Sequence, residues 1–101
     1  MSGAIRLVAM VRAIVLINAE PARVAELAER LADHDAIREV YSVAGDEDLV
    51  AIISTAHHED LADVVTNVIA KEPGVTRTRT LVAFRAWGQN MLGSEWGVSV
   101  D

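Results

Sequence analysis

Val40-Tyr41-Ser42-Val43-Ala44-Gly45-Asp46-Glu47-Asp48-Leu49-Val50-Ala51-Ile52-Ile53 places two runs of strand-forming residues on either side of a glycine and three acids. A glycine followed by acids at a strand-to-strand junction supplies the backbone freedom and the local acceptors that a reversal needs, so the stretch predicts a β-hairpin with a tight turn. Leu49 to Ile53 shows no polar alternation. A strand of that kind is expected to be buried on both faces and to lie in the middle of its sheet.

Upstream of the hairpin, Val11 to Asn18 is another near-continuous apolar run and predicts the first strand. Pro21 then stands where a helix tolerates its missing N–H. Val24, Leu27, Ala28 and Leu31 follow at i, i+3, i+4 and i+7, with Arg23, Glu26, Glu29, Arg30 and Asp33 on the other side. The second strand is expected from about Ile37 to Ala44, and the third from Asp48 or Leu49 to Thr55. Downstream, Glu59 and Asp60 suit the first turn of a second helix, whose apolar stripe is Leu61, Val64, Val65, Val68 and Ile69 and whose stop is Pro73-Gly74. Val75 to Trp87 predicts a long last strand. Thr76, Thr78, Thr80, Val82 and Phe84 share one of its faces, and Arg77, Arg79, Leu81 and Arg85 the other.

The order β-α-β-β-α-β belongs to the α+β class. Its economical packing is the ferredoxin-like one, a four-stranded antiparallel sheet with both helices on one face. Two helices cannot also cover the far side of a strand that is apolar on both faces. A second copy of the chain is therefore expected there, in a dimer or larger oligomer.

The 101 residues suffice for one domain, expected at 11–87, with an N-terminal extension at 1–10 and a C-terminal tail at 88–101 that could dock through Met91 or Trp96. A formal charge of −6 argues against a protein that works on the phosphate backbone, although Arg77, Arg79 and Arg85 crowd one late segment. The absence of cysteine excludes disulfides, a thiolate nucleophile and Cys-based zinc sites, and fits a cytoplasmic setting. The longest apolar runs, Ala13 to Ile17 and Leu49 to Ile53, are far too short to cross a membrane.

Few residues invite catalysis. Adjacent His57 and His58 do not converge as metal ligands do, and they read as the lead into a helix. His34 reads as a last-turn residue near helix carbonyls. There is no nucleophile elbow, no phosphate-cradling glycine loop and no zinc-protease motif. Asp46, Glu47 and Asp48 are ordinary turn formers, and Thr76, Thr78 and Thr80 ordinary strand residues. Together, however, carboxylates that accept from an ammonium and hydroxyls that donate to a carboxylate would suit a zwitterion.

With those residues in view, the chain resembles the ligand-binding (RAM) domain of the Lrp/AsnC family over about residues 11 to 87. The resemblance rests on Tyr41-Ser42-Val43-Ala44-Gly45-Asp46-Glu47-Asp48-Leu49 together with Pro73-Gly74-Val75-Thr76-Arg77-Thr78-Arg79-Thr80. It implies sheet-to-sheet dimers, often assembled into rings, that bind small effectors, commonly amino acids, near the hairpin and the last strand. Carried over by position, the ligand-binding residues are Gly45, Asp46, Asp48, Thr78 and Thr80, with Thr76 and Arg77 as weaker neighbours. On this reading Asp48→Ala abolishes effector binding without unfolding the chain.

This sequence departs from the family pattern in two places. Only about ten residues precede the first strand, leaving no room for the helix-turn-helix of the family's regulators, and Glu47 and Leu49 stand where the hairpin often carries an aromatic. The expectation is a stand-alone amino-acid sensor, without enzymatic activity, cofactor, metal, membrane association or direct nucleic-acid binding. Such a sensor acts through a protein partner such as a full-length Lrp/AsnC regulator or a metabolic enzyme. The alternative is a small dimeric ferredoxin-like enzyme resembling the cofactor-independent monooxygenases, with His57, His58 or Trp87 near a pocket. An ACT-type regulatory domain shares the topology but lacks the hairpin signature.

Overall fold

The computed structural model describes residues 10–88. The expectations for the extension and the tail, including docking by Met91 or Trp96, fall outside the described residues except at Met10 and Gly88. Strand β1 (Val11–Ala19) is followed by a 3-10 turn at Pro21–Arg23 and helix α1 (Val24–Ala32). Strands β2 (Ile37–Ser42) and β3 (Leu49–Thr55) form the hairpin. Helix α2 (His58–Asp63) continues as a π-helical segment, Val64–Ile69, before strand β4 (Val75–Ala83). The sheet order is β2-β3-β1-β4 with every neighbouring pair antiparallel. This is the expected βαββαβ ferredoxin-like arrangement, with the apolar strand β3 in the sheet interior.

Strand alternation decides which residues make the core. Ala13, Val15, Ile17 and Ala19 of β1 are buried, as are Leu49, Ala51 and Ile53 of β3, and the pairing puts these side chains on one face. Leu27 and Leu31 of α1, and Leu61, Val64 and Ile69 from α2 and its π-helical continuation, close over that face in a single cluster. Within the continuation, Val64 and Ile69 lie five residues apart and both are buried, and the Ala70 N–H donates to the Val65 carbonyl at 2.9 Å. Bonding from i to i+5 stacks residues at that spacing, and the β-branched run Val64-Val65-Thr66 weakens the competing α-helical preference.

The ends of β2 and β4 differ most from expectation. Strand β2 ends at Ser42 rather than Ala44, so the reversal is a six-residue loop, 43–48, closed by the Val43 N–H donating to the Asp48 carbonyl at 3.1 Å. The loop is wider than a tight turn because Asp48 is drawn to β1: its N–H donates to the Ile17 carbonyl at 2.9 Å. Strand β4 ends at Ala83 rather than Trp87, because Ala83 pairs with Arg12 near the start of β1 and the neighbouring strand stops there. Phe84 and Trp87 beyond it are 91% and 82% exposed. His34 lies just past α1, where its N–H donates to the Leu31 carbonyl.

Gly74 fixes the approach of β4 to the 3-10 turn. Its φ is +100°, and a Cβ there would stand 2.8 Å from Arg23 Cδ and 3.1 Å from Arg23 Cβ. Its carbonyl accepts from the Glu20 N–H at 2.9 Å. Arg30 secures the same corner, donating to Glu72 at 2.7 Å and to the Pro73 carbonyl at 3.2 Å. The Glu72 hydrogen bond raises the Arg30 pKa from a value already far above neutrality, so this clamp stays charged.

Candidate functional site

The helix-free face and the hairpin loop meet at one end of the sheet. Asn18 is the last residue of β1 before a register shift: it pairs with Arg77, whereas Ala19 pairs with Val75. Thr76 is thus the extra residue of a β-bulge, a device that re-aims side chains at a strand end. The hairpin loop is tied to this place from above. Asn18 Nδ2 donates to the Asp46 carbonyl at 2.7 Å, and the Arg79 guanidinium meets the Glu47 carboxylate at 3.4 Å.

Between them lies a cleft of about 700 Å³ lined by Asn18, Asp46, Glu47, Thr76, Arg77 and Arg79. Every one of these side chains is polar. Glu47 and Arg79 neutralise each other, whereas among the described residues neither the Asp46 carboxylate nor the Arg77 guanidinium has an ion-pair partner. The cleft therefore offers one unpaired acceptor charge and one unpaired donor charge.

Asp46 and the weaker candidates Thr76 and Arg77 are brought together in this cleft. Gly45 lies in the same loop with φ +150° and nothing within 4 Å of a would-be Cβ, so its part there is conformational. The Asp48 carboxylate is engaged in the scaffold: Oδ2 accepts from the part-buried Ala19 N–H at 2.8 Å. Thr78 and Thr80 pair with Ile17 and Val15 and share their helix-covered face, so they are not among the cleft residues. Asn18, Glu47 and Arg79 were not among the candidates. The signal for the arginines was the alternation of β4 itself: if the threonines pack beside the apolar face of β1, the arginines take the other face.

A second cavity, of about 400 Å³, lies where α1 ends and α2 begins, and its lining includes His34, Asp35, Asp60 and Asp63. His34 Nδ1 there accepts from the Ala36 N–H at 3.1 Å. Among the described residues no group of His, Asp and Glu is placed to hold a metal. His57 precedes α2, its carbonyl accepting from Thr55 Oγ1, and His58 opens the helix. Among the described residues no helix is long and apolar enough to cross a membrane.

The comparisons with known proteins agree with this arrangement. The transcriptional regulator LrpA of Pyrococcus horikoshii is 38% identical over 61 residues, covering 60% of this chain and 43% of that protein. The chain spans less than half the length of the curated relatives it matches, all of which are named as HTH-type transcriptional regulators. TTHA0845 of Thermus thermophilus superimposes with a TM-score of 0.73 at 46% identity, over 78% of this chain and 99% of that one. A Neisseria meningitidis transcriptional regulator, NMB0573, described in complex with L-methionine, shares the fold with a TM-score of 0.72 at 11% identity, over 80% of this chain and 54% of that one. The model of the Lrp/AsnC ligand-binding domain matches residues 12–92, a span that holds all of the sheet but Val11, both helices and every residue of the polar cleft, and the chain belongs to that family.

Proposed function

We propose that this protein is an amino-acid-responsive, oligomerising regulatory module of the cytoplasm, without catalytic activity, that signals through a protein partner such as a full-length regulator of its own family. The observation that carries this reading is the pair of unmatched charges in the polar cleft. An α-amino acid bears an ammonium and a carboxylate, and the Asp46 carboxylate and the Arg77 guanidinium are their complements. Asn18 and Thr76 add hydrogen-bonding capacity beside them. The L-methionine complex of the Neisseria regulator, which shares the fold, supports an amino acid as the ligand, and the relatives named as transcriptional regulators support the regulatory role.

Oligomerisation is supported by the face opposite the helices. The strand register sets Tyr41, Val50, Leu16 and Arg79 in one row across it, and Glu39, Ile52, Ile14 and Leu81 in the next, so the centre of this face is apolar and the charges of Glu39 and Arg79 stand at its margins. Tyr41 is 49% and Leu81 46% exposed. A contiguous apolar sheet face of this kind is a pairing surface, and a second copy presenting the same face buries it by two-fold symmetry.

A thermal-shift screen against the common amino acids, run beside light scattering, tests both parts. The reading expects a dimer or larger particle, and a melting temperature that rises with at least one amino acid. It expects Arg77→Met to lose that rise while its ligand-free melting temperature stays at the wild-type value. A monomer that no amino acid stabilises would overturn it.

A further inference from the structure

Resting on the amino-acid reading of the cleft, we infer that the ligand carries a carboxamide side chain. Once Asp46 and Arg77 are assigned to the ammonium and the carboxylate, the remaining charged lining is the Glu47–Arg79 pair. This pair is loose, at 3.4 Å, and accessible, with side chains 25% and 59% exposed. It presents an acceptor and a donor side by side. A primary amide presents the converse: its carbonyl accepts from a guanidinium and its NH2 donates to a carboxylate, so both partners are satisfied at once.

Charged and apolar side chains match the pair less well, and a hydroxyl, which also donates and accepts, must do both through a single oxygen rather than through two atoms set side by side. An acidic side chain gains Arg79 but faces Glu47, and a basic one gains Glu47 but faces Arg79. An aliphatic or aromatic side chain removes water from two charged groups and returns no hydrogen bond, a mismatch that disfavours binding strongly. Among the described residues no apolar side chain lines the cleft to offset that loss.

Titration calorimetry of the full chain with L-glutamine, L-asparagine, L-glutamate, L-leucine, L-methionine and L-alanine tests the inference. At least one of the two amides is expected to bind about tenfold or more tightly than leucine, methionine, glutamate or alanine, the factor that one hydrogen bond to a charged group supplies. In Glu47→Met and in Arg79→Met, which remove the acceptor and the donor outright, the ratio between the leucine and amide dissociation constants should fall toward one. Both residues are part-exposed in the single chain, so neither change threatens its fold, and light scattering of each variant checks that the oligomer is retained. If leucine, methionine or glutamate binds as tightly as the amides, or if neither variant lowers the ratio, the carboxamide assignment is overturned while the amino-acid reading stands. If none of the six binds, the carboxamide assignment is overturned, and the amino-acid reading falls with it only when no other common amino acid raises the melting temperature in the thermal-shift screen.

Discussion

Replacing Asp48 with alanine leaves the hairpin's backbone bonds in place, because the Val43 N–H still donates to the residue-48 carbonyl and the residue-48 N–H still donates to Ile17. What disappears is the carboxylate that accepts from the Ala19 N–H at 2.8 Å. Ala19 is only 7% exposed, so its N–H is left without an equivalent partner. A hydrogen bond to a charged group contributes about 1.5–3 kcal/mol, and about 2 kcal/mol suits a part-buried one. For a domain of this size that loss lowers the melting temperature by roughly 8–16 °C. Asp48→Asn keeps an acceptor but not its charge, and charge roughly doubles such a bond, so it should lose about 1 kcal/mol. Urea denaturation measures both: the midpoints should fall in the order wild type, Asn, Ala, with an unchanged slope. Equal midpoints for the two variants, or an alanine variant within about 2 °C of wild type on a thermal scan, would refute the scaffold role assigned to this carboxylate.

Other predictions concern the fold's fixed points. Gly74→Ala should destabilise by about 1–3 kcal/mol, since it adds a positive-φ penalty to a contact with Arg23, and Gly45→Ala should cost less because only its backbone is strained. Both are read from denaturation midpoints, and a Gly74 variant as stable as wild type would contradict the close approach. Ile17→Ala, at a fully buried position, should cost about 2–5 kcal/mol in the same assay. Ser54 Oγ is buried with no hydrogen-bond partner among the described residues, so Ser54→Ala should leave stability unchanged or raise it by up to about 1 kcal/mol. A clear loss there would mean that the hydroxyl has a partner.

The architecture was legible in the sequence because its signals were periodic. The continuous apolar runs of β1 and β3 specified interior strands, and the stripes from Val24 and from Leu61 specified helices with one buried side. Element ends were less legible because they depend on partners distant in sequence. Ser42 ends β2 because Asp48 is held by β1, and Ala83 ends β4 because β1 begins opposite it. The cleft was half legible for the same reason. Asp46 could be picked out from its turn, but the choice between the threonines and the arginines of β4 depends on which face of that strand meets Ile17 and Val15. A single strand's alternation defines two faces without saying which one is covered. Thr76 reaches the cleft through a bulge that only the β1–β4 register reveals.

The most direct test of the central claim is a map of amide chemical-shift changes when an amino acid that raises the melting temperature is added to the ¹⁵N-labelled protein. The account predicts that the largest changes fall on Asn18, Asp46, Glu47, Thr76, Arg77 and Arg79, the residues that line the cleft between the hairpin loop and β4. Changes centred instead on Ala36, Ala56, Asp60 and Asp63, around the second cavity, would place the ligand elsewhere and contradict it.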